Sequence, residues 1–188
     1  MARSPSKRFR RVYWDSCTWI SLIQNETAVP LVGGGTENRA ALARAVLDEA
    51  TRNAAEIVTS TLAFSEVSKP SITQDGLAGS TDKLSNFFEN DFIVLVMLDR
   101  HVGELARALM QQGYPGLKPL DAVHLASALV ANVDEMHSFD DRLLNLSDRI
   151  EKKNGKPLKI CRPSMAGPPL PLLDPLLVIP GGPPDDSA

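Results

Sequence analysis

The sequence predicts an α/β fold, a three-layer sandwich with a mostly parallel central sheet. Short β-branched or aromatic runs alternate along the chain with stretches whose apolar residues recur at helical spacing, the pattern that builds βαβ units. One run, Phe92 to Leu98, is apolar throughout, the mark of a strand buried on both faces and hence of a central parallel strand. With 43% hydrophobic and 23% charged residues, the 188-residue chain has the material for one packed domain.

In order, Val12-Tyr13-Trp14 reads as a short strand and Thr18 to Ile23 as a helical start. Gly33-Gly34-Gly35 breaks the chain before a long helix, Thr36 to Asn53, striped by Leu42, Val46, Leu47 and Ala50. Glu56 to Ser60 is a second strand. Thr59 to Thr61 then supply N-cap chemistry for a helix carrying Leu62, Phe64, Glu66 and Val67, stopped near Pro70. Residues 70–80 read as loop, and a helix around Leu84 to Glu89 precedes the Phe92–Leu98 strand. Asp99 caps a helix with the stripe Val102, Leu105, Ala106 and Leu109, closed by Gly113. Pro119 opens another helix, running to Ala131. Glu135 to Ser138 is a short strand, Asp140 to Leu146 a short helix and Leu158 to Ile160 an edge strand.

Three regions follow from composition: a basic arm over residues 1–10, an α/β domain over 11–160 and a Pro-rich tail over 161–188. Arg3, Lys7, Arg8, Arg10 and Arg11 have no acid among them, while the whole chain carries a net charge of −3. A protein that binds nucleic acid by blanket electrostatics would be more basic. The arm is either a specific contact or a solvated terminus. Eight prolines fall between Pro163 and Pro184 around an apolar stretch, Leu170 to Pro180, that fits neither a helix interior nor a central strand. It reads as linker or as a segment that packs on a neighbour. No apolar run approaches the roughly 20 residues that span a bilayer, and no apolar segment backs the basic N-terminus as a signal peptide requires. Cys17 and Cys161 are too few for a disulfide framework and lack metal-ligand spacing. A cytoplasmic protein with no membrane partner is expected.

The chemistry lies in four acids. Ligands of open parallel sheets bind beyond the carboxyl ends of the strands. Asp15 follows the Val12–Trp14 strand and Asp140 follows Met136 to Phe139; Glu66 and Asp121 lie early in helices that begin on the same side. Singly, each has an ordinary explanation as an N-cap, a first-turn acid or a solvated side chain. Together they matter, because Glu66 and Asp121 sit beside apolar core residues rather than on charged faces. Packed carboxylates need a counter-charge, and a hard divalent cation with oxygen ligands supplies one. His124, one turn after Asp121, is set aside as structural.

These segments resemble the four motifs of PIN-domain nucleases, with the VapC-like toxins of bacterial toxin–antitoxin pairs as the nearest type. The resemblance rests on Asp15-Ser16, on Glu66 in Thr-Leu-Ala-Phe-Ser-Glu-Val, on Pro119 to Ala126, and on Ser138-Phe139-Asp140-Asp141-Arg142-Leu143. It makes residues 11–160 a PIN-like nuclease domain and implies a Mg²⁺- or Mn²⁺-dependent endoribonuclease. Asp15, Glu66, Asp121 and Asp140 would be its catalytic and metal-holding acids, Asp141 an alternative to Asp140, and Ser138 the hydroxyl before the last acid. Ser16 would orient Asp15. An RNA substrate, an antitoxin protein and a homodimer are implied in the same way. Lys69, Lys118 and Arg142 are candidates for phosphate recognition at the mouth. A non-catalytic PIN-like module that binds RNA or protein is the main alternative; a haloacid-dehalogenase phosphatase would need a second Asp where Cys17 stands.

Overall fold

The computed structural model describes residues 9–67 and 87–166. Five strands form one sheet in the order β5-β4-β1-β6-β7, with every neighbouring pair parallel. They are β1 (Arg10–Trp14), β4 (Ala55–Ser60), β5 (Ile93–Val96), β6 (Glu135–His137) and β7 (Lys159–Cys161). Helices α1 (Ser16–Ile23), α2 (Arg39–Thr51), α3 (Leu62–Val67), α4 (Arg100–Gln111), α5 (Pro119–Val130) and α6 (Asp141–Leu144) cover it. A two-stranded hairpin, β2 (Val29–Pro30) with β3 (Thr36–Glu37), precedes α2.

Strand alternation sends neighbouring side chains to opposite faces, and each face has its own core. Val12, Trp14 and Ile57 pack with Trp19 and Leu22 of α1, Ala43, Val46 and Ala50 of α2, and Ala63 and Val67 of α3. Tyr13, Val58 and Met136 pack with Val102, Ala106 and Leu109 of α4 and with Ala122, Leu125, Ala126 and Leu129 of α5. Two apolar cores separated by one sheet make the three layers the alternation predicts.

The chain runs from β1 outward through β4 to β5, then returns to the other side of β1 for β6 and β7. The strand order therefore reverses between β1 and β6. At such a point the two sets of loops diverge and leave a crevice beyond the carboxyl ends. Asp15 follows β1 there and Ser138 follows β6.

Two expectations are corrected. The Phe92–Leu98 run is not a central strand: its strand is Ile93–Val96, and among the described residues it pairs with β4 alone, at the sheet edge. Its apolarity reports cover on both faces. Ile93 and Phe92 pack into one core, Val94 and Val96 into the other, while Met97 is 67% exposed past the strand end. The long helix starts at Arg39 rather than Thr36, because Thr36–Glu37 closes the hairpin and the Asn38 side chain accepts from Ala41 N–H to cap α2. Gly33, Gly34 and Gly35 all take positive φ, between 83° and 107°, which needs glycine for so tight a reversal. The loop expected over 70–80 lies outside the described residues, as does most of the helix expected over Leu84 to Glu89. Phe87 and Phe88, which are described, close against Trp19.

Candidate active site

A cavity of about 210 Å³ opens at the crevice. Its walls carry Asp15, Ser16, Cys17, Glu66, Asp121, His124 and Asp140, so all four acids singled out from the sequence meet in one place. Each comes from a different element. Asp15 caps α1: its side chain accepts from the Thr18 N–H and from the Thr18 hydroxyl, both at 3.0 Å. Glu66 lies in α3, which starts directly after β4, and Ser60 Oγ there accepts from the Leu62 N–H at 3.2 Å. Asp121 is the third residue of α5 and accepts from the Lys118 N–H at 3.3 Å. Asp140 caps the short α6 and accepts from the Arg142 N–H at 2.8 Å. The capping roles and the shared cavity therefore coexist, since a cap uses one lone pair of a carboxylate with several to offer.

Electrostatics divides the four. The Arg142 guanidinium grips Asp140, donating from Nε at 3.0 Å and also from Nη2, and holds this carboxyl below its ordinary value. Burial pushes Asp121 the other way, and the Asp140 charge adds to it. Among the described residues neither Asp15 nor Asp121 forms an ion pair with lysine or arginine. A buried carboxylate without a cation is costly. The donor set, oxygen-rich and short of positive charge, fits a hard divalent cation of the Mg²⁺ or Mn²⁺ kind.

Asp140 rather than Asp141 faces the cavity. The Asp141 side chain is 74% exposed and lies 3.6 Å from Arg162. Ser138 is fully buried, and its hydroxyl accepts from the Asp140 N–H at 2.9 Å, which sets the turn that aims Asp140. Of the basic candidates, Arg142 reaches the site, Lys118 is the N-cap residue of α5, and Lys69 lies outside the described residues.

A family model described as the PIN domain matches residues 13–148, which spans both sheet halves and every cavity acid. The chain belongs to the PIN-domain family. Two solved structures share the PIN fold with it at 13% identity. One is VapC20 of Mycobacterium tuberculosis, a toxin that cleaves the sarcin–ricin loop; the TM-score is 0.51, with 69% of this chain and 89% of that one covered. The other is VapBC2 from Rickettsia felis, bound to a DNA fragment from its promoter; the TM-score is 0.52, with 80% and 96% covered. No curated protein matches the chain.

Two residues of this PIN domain's cavity, His124 and Cys17, and Tyr13 in the core beneath it bear on the site without being assigned to it from the sequence. His124 is 3% exposed and its Nε2 lies 2.7 Å from Glu66 Oε2, so it belongs to the site rather than to the core alone. Its position one turn after Asp121 was the available signal. Tyr13, read only as strand, places its hydroxyl 2.8 Å from His124 Nδ1. Cys17 sits 3.0 Å from both Asp15 oxygens, and its sulfur accepts from the Phe139 N–H at 3.3 Å. Burial and the Asp15 charge push its thiol up, so it stays protonated and ties the Asp15 loop to the Asp140 loop.

A second group, Glu135, His137 and Cys161, brings ligand-type atoms within 4.8 Å of one another away from this cavity. Its charge is already matched. Arg10 and Lys159 both donate to the Glu135 carboxylate, Lys159 at 2.8 Å, and Arg10 also reaches Glu49 at 2.8 Å and the Ser164 carbonyl at 2.7 Å. This is an ion-pair network that ties β1, β6, β7 and α2 together. Sequence spacing conceals it because the partners lie as far as 154 residues apart.

Proposed function

We propose that the protein is a Mg²⁺- or Mn²⁺-dependent endoribonuclease and the toxin of a toxin–antitoxin pair. One observation carries the proposal: four carboxylates, held by caps and turns of four separate elements, line a single cavity at the point where strand order reverses. Asp15, Glu66, Asp121 and Asp140 are the metal-holding and catalytic acids. When bound, the cation would polarise the scissile phosphate, lower the pKa of a water and offset charge on the phosphoryl oxygens.

The chain's own groups do the rest. Asp15 is clamped by Thr18 and Cys17 and presents a fixed oxygen pair. Burial raises the proton affinity of Asp121, so protons compete with a cation there increasingly as pH falls, which makes binding pH-dependent. Asp140 is held ionised by Arg142 and so is a poor proton acceptor; Glu66 is the carboxylate that takes the proton of the attacking water. Arg142, with a side chain 42% exposed at the mouth, keeps its grip on Asp140 and offers the phosphate the guanidinium N–H groups it does not spend there. A cytoplasmic setting, an antitoxin that covers the cavity and a homodimer complete the proposal. The antitoxin is supported by the VapBC2 fold likeness, the others by the family's general character.

The test is to incubate purified protein with total RNA in Mg²⁺ or Mn²⁺, beside an EDTA control and Asp121→Asn. Cleavage that requires the ion and Asp121 supports the proposal. Cleavage that persists in EDTA or in the variant contradicts the site. Full binding of RNA without cleavage in either ion favours the non-catalytic module.

A further inference from the structure

Above the carboxyl end of β1 a buried chain of hydrogen bonds crosses from one core to the cavity. It starts at the Tyr13 hydroxyl, which lies on the α5 side of the sheet and is fully buried. It passes to His124 Nδ1 at 2.8 Å, through the imidazole, and from Nε2 to Glu66 Oε2 at 2.7 Å. The Tyr13 and His124 rings meet edge to face at 5.9 Å, which fixes the imidazole plane. The Ser16 hydroxyl donates to the same Glu66 oxygen and lies 3.0 Å from His124 Nε2.

Proton bookkeeping orients this chain. A neutral imidazole has one N–H and one lone pair, and which nitrogen carries the proton is set by the partner of the other. A bare Nε2 facing a carboxylate oxygen at 2.7 Å would set lone pair against lone pair. Nε2 therefore carries the proton and donates to Glu66, and Nδ1 accepts from Tyr13. The phenol O–H, 2.8 Å from Nδ1, supplies that donor. Two donors, Nε2–H and Ser16 O–H, then converge on one oxygen of Glu66 and remove its rotational freedom.

We propose that Tyr13 and His124 are positioning residues: the Tyr13 hydroxyl donates to Nδ1 and steadies the Nε2–H tautomer that the Glu66 carboxylate demands, and that Nε2–H with Ser16 locks Glu66 in the orientation that receives the metal. This rests on the cavity being a metal centre. Groups that orient metal-ligating carboxylates typically change affinity by about 10- to 100-fold when removed.

The experiment has two readouts. Long-range ¹⁵N NMR of the metal-free protein reports the protonated ring nitrogen. Nε2–H with a bare, hydrogen-bonded Nδ1 is expected, and in Tyr13→Phe the Nδ1 resonance should shift as its donor is lost while Nε2–H persists; a proton on Nδ1 in the wild type overturns the proposal. Calorimetric Mn²⁺ titration follows for wild type, His124→Ala, His124→Gln and Asp121→Asn. His124→Ala should bind at least about tenfold more weakly, while His124→Gln, whose amide N–H reaches where Nε2–H does, should stay within about threefold. Tyr13→Phe, which deletes one oxygen from a buried ring, gives the same comparison if His124→Ala does not fold. Binding lost in Asp121→Asn but unchanged in His124→Ala or Tyr13→Phe overturns the positioning role alone. No Mn²⁺ binding by the wild type overturns the metal centre and this role with it, whatever the tautomer.

Discussion

Asp15 and Asp140 each do two jobs, because a carboxylate that caps a helix with one oxygen can still present the other to a cavity. Asp121 has the least compensated charge, so it makes the clearest test. Asp121→Asn removes charge but keeps an acceptor for the Lys118 N–H, and metal-dependent cleavage should fall by at least about 100-fold with no loss of thermal stability. Side-by-side rates and melting curves check it. Residue identity is legible where acids stand against apolar neighbours, as Glu66 and Asp121 do, or follow strand ends, as Asp15 and Asp140 do. It was illegible where the signal is three-dimensional. Nothing in the sequence separates Asp140 from Asp141, adjacent and alike; the Ser138 hydroxyl on the Asp140 N–H decides between them. Nor does it show that His124 faces Glu66, 58 residues away.

At the scale of elements, start signals are legible where a capping side chain stands directly before the helix. The Asp99 side chain accepts from the Val102 N–H at 2.9 Å and caps α4 as its residue type predicts. Asp99→Ala should therefore cost about 1 kcal/mol in denaturant unfolding with cleavage unchanged, since α4 does not line the cavity. Leu125→Ala, by contrast, opens a hole in a fully buried stripe of α5 and should cost about 3 kcal/mol. The misplaced strand has a physical cause. A continuous apolar run reports two covered faces, and an edge strand between two helical layers has those as surely as a central one. The β2–β3 hairpin went unread because two-residue strands carry no period; their glycines were the visible trace.

Among the described residues two apolar cores and a partly buried ion-pair network around Glu135 hold the molecule together, and the network makes its stability pH-dependent. Burial pushes Glu135 up, but hydrogen bonds from His137, Lys159 and Arg10 win and hold it well below the usual carboxylate range. A lowered carboxyl pKa stabilises the fold above the unfolded value and loses that contribution as pH falls toward the folded one. His137 is pushed down by burial, so the fold also loses stability as pH drops below the unfolded histidine value of about 6.5. The melting temperature should fall in two stages on acidification. Glu135→Gln should diminish the stage below about pH 4, and a second stage of undiminished size would show that the network is not its source. The opposite sign belongs to Asp121, whose raised pKa costs the metal-free protein stability as pH rises through it, a cost that a bound cation removes.

The most direct test is therefore a calorimetric Mn²⁺ titration at neutral pH of the wild type and of Asp15→Asn/Asp121→Asn. The wild type should bind saturably, with a melting-temperature rise corresponding to about 2.7 kcal/mol at a hundredfold excess over Kd, and the double variant should do neither. Equal binding by both proteins would mean that the four-acid cavity is not the metal centre.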